Sequence, residues 1–159
     1  MVKTAIQEPF SLTKGETGVT SQDGLTASSE FGMIYSYQVP IGQGLIILPG
    51  HTFSLYLEGA DDSEMPATTR VKVVVKDSAK QEEKAILGPT MYQTLKEFQD
   101  RDKIARFNTP GAVKVYERQY LEVWTAGADA AGTGGVDQTG MSSDTYFNAE
   151  ISRVRQPLQ

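Results

Sequence analysis

The sequence predicts an all-β protein: an antiparallel β-sandwich, jelly-roll-like, with at most one short helix and an extended N-terminal arm. Two observations predict this fold. Short segments of alternating apolar and polar residues recur from residue 31 to the end, and turn residues separate them, with 15 Gly and 7 Pro in 159 residues. About eight or nine such strands are typical of a sandwich or barrel, and their number and length favour a jelly roll.

The first 30 residues differ in amino-acid composition from the rest of the chain. They are rich in Thr, Ser, Gly and Gln, and their strongly apolar residues are single: Ile6, Phe10 and Leu12. We therefore predict an arm over residues 1–30 and one sandwich domain over residues 31–159. The arm is either a disordered terminus or a segment that orders against a neighbouring subunit, with these three side chains as anchors.

Two strands begin the domain. GLIIL is a continuous apolar run, which predicts a strand buried on both faces. Before it, FGMIYSYQVPI has period 2, which predicts a strand with one buried face. The residues expected on that face are Met33, Tyr35, Tyr37, Val39 and Ile41.

The next strands alternate in the same way. Pro49-Gly50 fits the centre of a type II turn, with Gly50 at positive φ. HTFSLYLEG then predicts a strand with Tyr56 outward, and TTRVKVVVKD predicts a half-buried strand of high β-propensity. The inward residues are Phe53, Leu55, Leu57, Val71, Val73 and Val75, and the outward ones include Arg70, Lys72 and Lys76.

A short strand, AILG, precedes the segment PTMYQTLKEFQDRDK, for which the spacing of Met91, Leu95 and Phe98 predicts a short helix with Pro89 in its first turn. KIARFN, VKVYE, QYLEVWTA and TYFNAEISRVR predict the remaining strands. A type II turn is expected at Thr109-Pro110-Gly111. In the last strand we expect Phe147, Ala149 and Ile151 on one face and Asn148, Glu150 and Ser152 on the other.

The residue types argue against most catalytic and metal chemistry. Cys is absent and His51, beside a turn, is the one histidine, so neither a thiolate nucleophile nor a His-rich metal site can be built. The acidic run 61–64 lacks the spacing of a calcium loop. GTGG in the long loop 127–143 has no following Lys and helix, so it is not a phosphate loop. We expect no enzyme activity, no metal and no cofactor, and we interpret that loop as an exposed excursion or a subunit contact.

Charge and hydropathy limit the partners. The formal net charge is −5 and no Lys/Arg cluster is evident, so we expect no direct nucleic-acid binding. No apolar run is long enough for a membrane span, and the N-terminus lacks the apolar region of a signal peptide. Outward aromatic residues, among them Tyr56, Tyr120 and Trp124, indicate either a protein interface or a platform for sugar rings.

The arm MVKTAIQEPFSLTKGETGVT, the strand TRVKVVVKD and the closing TYFNAEISRVR together resemble a capsid decoration or cement protein of tailed phages. The resemblance implies a homotrimer on the virion capsid surface, synthesised in the host cytoplasm, that stabilises the shell by binding between subunits of a major capsid protein. The partner-contact residues would be Ile6, Phe10, Leu12, Tyr56, Tyr120 and Trp124. A carbohydrate-binding, lectin-like module is the alternative; a glycoside-acting enzyme would need paired carboxylates, and no spacing recommends a pair.

Overall fold

A computed structural model describes residues 6–13, 19–21, 31–57, 69–97, 105–126 and 146–158. Eleven strands and one short helix lie within these ranges. They are β1 (Gln7–Thr13), β2 (Val19–Ser21), β3 (Gly32–Gln38), β4 (Gly44–Ile47), β5 (Thr52–Tyr56), β6 (Arg70–Lys76), β7 (Glu82–Met91), α1 (Tyr92–Glu97), β8 (Ala105–Phe107), β9 (Val113–Val115), β10 (Tyr120–Ala126) and β11 (Tyr146–Val154).

The first sheet is built around β11, and we call it the β11 sheet. β1 pairs with β11 along one edge, while β5 and β4 pair with successive parts of its other edge. β8 and β9 extend the sheet beyond β5 and β4. Because β4 and β5 lie end to end and run in the same direction, they act as one long strand interrupted by the turn at residues 48–51.

The second sheet, the β10 sheet, has the order β2-β3-β10-β6-β7 and is antiparallel throughout. If β4/β5 and β8/β9 each count as one interrupted strand and β2 as an addition, eight strand positions remain. Numbered along the chain, these positions are ordered 1-8-3-6 in the β11 sheet (β1, β11, β4/β5, β8/β9). In the β10 sheet they are ordered 2-7-4-5 (β3, β10, β6, β7). This double Greek-key order is that of a jelly roll, so the predicted fold class is confirmed.

The inner faces of the two sheets pack against each other and form the core. Tyr35 of the β10 sheet stacks on Phe147 of the β11 sheet, with ring centroids 5.6 Å apart, and Phe10 contacts Tyr37 at 5.9 Å. Burial raises the pKa of both Tyr35 and Tyr37 above the usual value. The predicted inward residues of β5, β6 and β11 are all buried: Phe53, Leu55, Leu57, Val71, Val73, Val75, Phe147, Ala149 and Ile151.

The prediction for β3 and β4 is only partly correct. Tyr35, Tyr37 and Val39 are buried as expected, but Ile41 lies in a turn and is 69% exposed. A register shift opposite Val123 and Trp124 puts a bulge in β3. The bulge breaks the period-2 pattern, because it adds a residue on one strand, and it turns Ile34 into the core. In GLIIL, Leu48 is likewise exposed rather than buried.

The positive φ of a type II turn falls on a different glycine from those predicted. Among the glycines in the described ranges, Gly42 has a positive φ (81°), in a turn closed by the Gln43 N–H and the Pro40 carbonyl. Gly50 and Gly111 have no positive φ, so the two predicted type II turns are wrong. The turn at Gly50 is instead closed by the His51 N–H to the Leu48 carbonyl, and the His51 ring accepts a hydrogen bond from the Leu48 N–H.

The helix begins later than predicted, at Tyr92. β7 continues through Pro89 to Met91, so Pro89 belongs to an edge strand, where a missing N–H is tolerated. The helix α1 buries Tyr92 and Leu95, while Met91 is exposed. The Tyr92 hydroxyl accepts a hydrogen bond from the Leu57 N–H, which ties the helix to the end of β5.

Two segments of the predicted arm are strands of the sheets. β1 pairs with β11 over its whole length and β2 pairs with β3. The remaining residues of 1–30, apart from Ile6, lie outside the described residues, as do the acidic run 61–64, Phe98 and the loop 127–143. The division of the chain at residue 30 therefore stays a prediction. In the parts of the chain described above, no helix is long and apolar enough to cross a membrane.

Candidate interaction surface

The outer face of the β10 sheet carries an unusual set of side chains. Tyr120, Glu122 and Trp124 alternate with core residues along β10, and the register places them beside Lys76, Val74 and Lys72 of β6. Basic and aromatic residues thus alternate around one central carboxylate. We call this surface the cationic face and define it by Phe31, Arg70, Lys72, Lys76, Lys80, Tyr120, Glu122 and Trp124.

The Glu122 carboxylate is the centre of the cationic face. It is 1% exposed although it lies on the outer side of the sheet. Its Oε2 accepts a hydrogen bond from Ser36 Oγ at 3.0 Å and lies 3.3 Å from Lys80 Nζ, and its Oε1 forms an ion pair with Lys76 Nζ at 3.3 Å. A buried carboxylate is tolerated only when it is paired, so these three partners account for its position.

The basic side chains lie over aromatic rings. Lys76 Nζ is 3.8 Å from the centroid of the Trp124 ring, and Lys80 Nζ is 3.4 Å from that of Tyr120. Each such cation–π contact contributes roughly 0.5–1 kcal/mol where it is partly exposed. The ammonium groups therefore lie over the rings, and the Lys76 side chain is only 14% exposed.

A second pair of cations completes the face at its other end. The Lys72 ammonium and the Arg70 guanidinium lie 4.8 and 5.4 Å from the centre of the Phe31 ring. Lys72 also pairs with Glu82 at 3.1 Å. The basic residues therefore form a continuous band along β6.

Lys80 reaches this band from a left-handed backbone conformation. Its φ is 65°, in the turn that joins β6 to β7, and Asp77 Oδ1 accepts the N–H groups of Ala79 and Gln81 there. This conformation costs a residue with a side chain roughly 1–2 kcal/mol, which Gly would largely avoid. The contacts of the Lys80 ammonium with Glu122 and Tyr120 offset that cost.

A separate ionic cluster joins the two ends of the chain. Glu8 Oε1 accepts hydrogen bonds from Arg153 and Arg155, each at 2.7 Å, and the Arg153 guanidinium lies 4.4 Å from the centre of the Phe10 ring. The hydrogen bonds from Arg155 and Arg153 lower the pKa of Glu8 below its usual value. β1 is thus held on β11 by ionic contacts as well as by the strand pairing.

The structure separates the six predicted contact residues into four places. Ile6, beside β1, is 83% exposed, whereas Leu12 is 2% exposed and packs in the core with the half-buried Phe10. Leu12 is therefore occupied within its own chain and unavailable to a partner in this conformation. Tyr56 is half-buried on the outer side of the β11 sheet. Tyr120 and Trp124 lie together on the cationic face.

Sequence reasoning placed Lys72 and Lys76 outward but missed their connection to Glu122, Lys80 and Phe31. The alternation of Tyr, Glu and Trp in QYLEVWTA does contain a signal, because it puts a carboxylate between two outward aromatic residues. Nothing local indicates that this carboxylate is buried. Its partner Ser36 is 86 residues away along the chain.

The titratable residues in the described ranges form no group of three or more His, Cys, Asp or Glu that could hold a metal ion. The cationic face combines partly exposed aromatic and basic side chains around one buried carboxylate. Aromatic residues, Met and Arg are enriched at protein interfaces, and the cationic face contains Phe31, Tyr120, Trp124 and Arg70, all partly exposed.

Comparison with known proteins gives a structural likeness. No family model and no curated protein matches the sequence. VP17, a capsid protein of bacteriophage P23-77, is similar in structure with a TM-score of 0.56 and 9% identity, over 96% of this chain and 99% of that chain. The likeness shows a shared fold over nearly the whole length of both chains.

Two further solved structures align less well. A CocE/NonD family hydrolase from Staphylococcus aureus gives a TM-score of 0.41 at 10% identity, over 99% of this chain and 37% of that chain. A chain of infectious bursal disease virus, Gt strain, gives 0.37 at 10% identity, over 93% of this chain and 32% of that chain. This chain therefore spans about a third of each of those two chains.

Proposed function

We propose that this chain is a non-enzymatic structural protein of a virion. The observation that carries the proposal is the structural likeness of this jelly roll to a phage capsid protein along almost the full length of both chains. A fold alone does not specify a function, so the proposal needs its own test.

The finer proposal is a decoration or cement role, in which the chain binds between subunits of a major capsid protein and stabilises the shell. Three linked copies would bind such a shell with a high effective concentration, which favours a homotrimer. The exposed Ile6 at the start of β1 supports contact at the N-terminal end. Within β1, Phe10 and Leu12 serve the chain's own core instead.

The first experiment measures the mass of the full-length protein by size-exclusion chromatography with light scattering. A mass near three times 17.4 kDa supports the trimer. A strict monomer at every concentration contradicts a preformed trimer.

The second experiment separates a decoration protein from a shell-forming one. Virions are stripped of this chain, and the purified chain is added back to the emptied shells. The cement role is supported if the shells stay intact after the chain is removed and regain their heat resistance when it is added back. Shells that collapse on removal of the chain support a shell-forming role, and shells that never contained the chain contradict the whole proposal.

The role of the N-terminal end is tested by substitution, because deletion of residues 1–30 would remove β1 from β11 and Leu12 from the core. Ile6→Ser is expected to weaken shell binding roughly ten- to a hundredfold, as loss of a buried apolar side chain costs roughly 1.5–3 kcal/mol. Ile41→Ser, at another exposed isoleucine, is the matched control. Equal binding by both variants contradicts a contact at Ile6.

The lectin-like alternative is less well supported by the geometry. A sugar platform needs accessible ring faces, whereas ammonium groups lie over the rings of Tyr120 and Trp124. A glycan-binding screen would show a hit only if the lysines move away.

A further inference from the structure

We propose that residues 155–158, which follow β11, act as a latch that holds β1 on the edge of the β11 sheet. The latch contacts β1 through Arg155 and closes over β4 through Leu158, in a socket that exists because residue 44 is Gly. The inference is independent of the virion role, since it concerns contacts within one chain.

The latch lies at the end of the β11 sheet where three strands meet. Gln7 of β1, Val154 of β11 and Gly44 of β4 form one row across the sheet. β11 ends at Val154, and the chain bends at residues 155 and 156. The segment that follows the bend is therefore within reach of both strands that flank β11.

The Leu158 side chain lies so close to Gly44 that a larger residue could not stand there without moving it. A Cβ added to Gly44 would lie 2.6 Å from Leu158 Cδ1 and nearer still to its Cγ. Because Leu45 and Ile47 face the core, alternation puts the side-chain position of Gly44 on the outer side of the sheet. Glycine weakens the interior of a strand and often marks a close approach, so Gly44 indicates a socket for Leu158.

The burial of Val154 is a second observation that favours a closed latch. Val154 is fully buried, although alternation from the core residue Ile151 puts it on the outer side of the β11 sheet, away from the β10 sheet. Gly44, its neighbour in β4, offers no side chain as cover. Leu158, seated over Gly44, is placed to supply that cover.

The other end of the latch is ionic. Arg155 Nε lies 2.7 Å from Glu8 Oε1 on β1, and Arg153, within β11, contacts the same oxygen. Among the described strands, β1 pairs with β11 alone, and strands at the margin of a structure open more readily than those at its centre. A segment that is fixed at both β4 and β1 therefore holds a strand that would otherwise open easily.

The sequence of the latch favours its closed state. Pro157 stands directly before Leu158, and its ring fixes one backbone angle and restricts Gln156 before it. The released latch therefore has fewer conformations to lose when it closes.

Hydrogen exchange of the full-length protein, followed by mass spectrometry, measures how often β1 opens. Gly44→Ala fills the socket, and because the three nearest atoms all belong to Leu158, the latch should be displaced while β4 stays in place. We expect exchange of the β1 amides to rise roughly five- to tenfold, the change that loss of a half-buried leucine contact produces, while β6 and β10 exchange as before. Gly88→Ala, in the edge strand β7, is the matched control, because a Cβ there meets nothing within 4 Å.

Two further variants separate the latch from a local effect on β4. Leu158→Ala adds no atom to the sheet, so it tests the latch even if Gly44→Ala perturbs β4, and it should raise β1 exchange to a similar extent. The double variant should exchange no faster than either single one, because both changes break the same contact. Arg155→Gln should give a smaller rise, since Arg153 still contacts Glu8.

Four results would overturn the inference. Two concern Gly44→Ala: β1 exchange equal to that of Gly88→Ala, or an equal rise in β6 and β10, which would mean a general loss of stability. The others are a double variant that shows the product of the two single effects, and an Arg155→Gln variant in which β1 exchange is unchanged. None of these measurements involves a shell, so failure here is distinct from failure of the virion role.

Discussion

The inner and outer faces of the β10 sheet are both buried at the centre, but by different means. On the inner face, Val73, Val123 and Tyr35 are covered by the apolar side chains of the opposite sheet. On the outer face, Glu122 is paired with the ammonium groups of two lysines, and these groups lie over aromatic rings. Apolar burial is non-directional, whereas the outer cluster depends on specific partners. The two faces should therefore respond differently to substitution, salt and pH.

The largest expected effect is on the inner face. Tyr35→Ala removes a buried ring that stacks on Phe147 and leaves a cavity, so we expect a loss of about 3–5 kcal/mol in the free energy of unfolding. Gln38→Ala, at the exposed end of the same strand, should cost less than about 0.5 kcal/mol. Urea unfolding measures both, and equal losses would mean that the inner face is not the main source of stability.

The next effect is on the centre of the outer face. Glu122→Gln keeps the shape of the side chain but leaves two ammonium groups without a counter-charge. We expect a loss of about 2 kcal/mol, below the usual cost of breaking a buried pair because Lys80 is half-exposed. Glu150→Gln on the exposed side of β11 is the control.

A double-mutant cycle sharpens this second prediction. Lys76→Met in the Glu122→Gln background should recover part of the lost stability, since it removes an uncompensated cation. If the two substitutions are strictly additive, Lys76 and Glu122 do not stabilise each other.

A smaller effect is expected at Lys80, whose side chain belongs to the outer face and whose backbone is left-handed. Lys80→Gln keeps the left-handed strain and loses the ion pair, so we expect a loss of about 1 kcal/mol. Lys80→Gly loses the same pair but relieves the strain, and should be more stable than Lys80→Gln by roughly 1 kcal/mol. Thermal unfolding in parallel compares them. A less stable Lys80→Gly would mean that the φ of 65° is not strained.

The smallest effect is ionic and lies outside both faces, at Glu8. Because Arg155 and Arg153 lower the pKa of Glu8 in the folded state, its contribution to stability is fully present above about pH 4.5 and declines as the pH falls below that value. Glu8→Gln should lower stability slightly near pH 7, where the contribution is present, and leave it unchanged at low pH, where Glu8 is protonated, so the acid limb of the stability curve becomes flatter. Chemical unfolding at several pH values tests it, and an unchanged acid limb would contradict the role given to Glu8.

The faces also differ in how much of them could be predicted. Period 2 in TTRVKVVVKD and TYFNAEISRVR correctly assigned the inward residues, because every second side chain of a strand points the same way. The same pattern assigned Lys72 and Lys76 to the outside. It could not indicate that Glu122 would be buried there, since its burial depends on side chains from β3, β6 and the turn after β6.

The sequence by itself determined the all-β class, the apolar face of most strands and, through the absence of Cys and the single His51, the chemistries that cannot be built. Only the tertiary structure decided that β1 pairs with β11, that β4 and β5 lie end to end on the other edge of β11, and that the bulge in β3 turns Ile34 inward. The physical reason is range. Side-chain alternation and turn chemistry act between near neighbours, whereas strand pairing, register and the pairing of Glu122 are set by contacts between residues far apart along the chain.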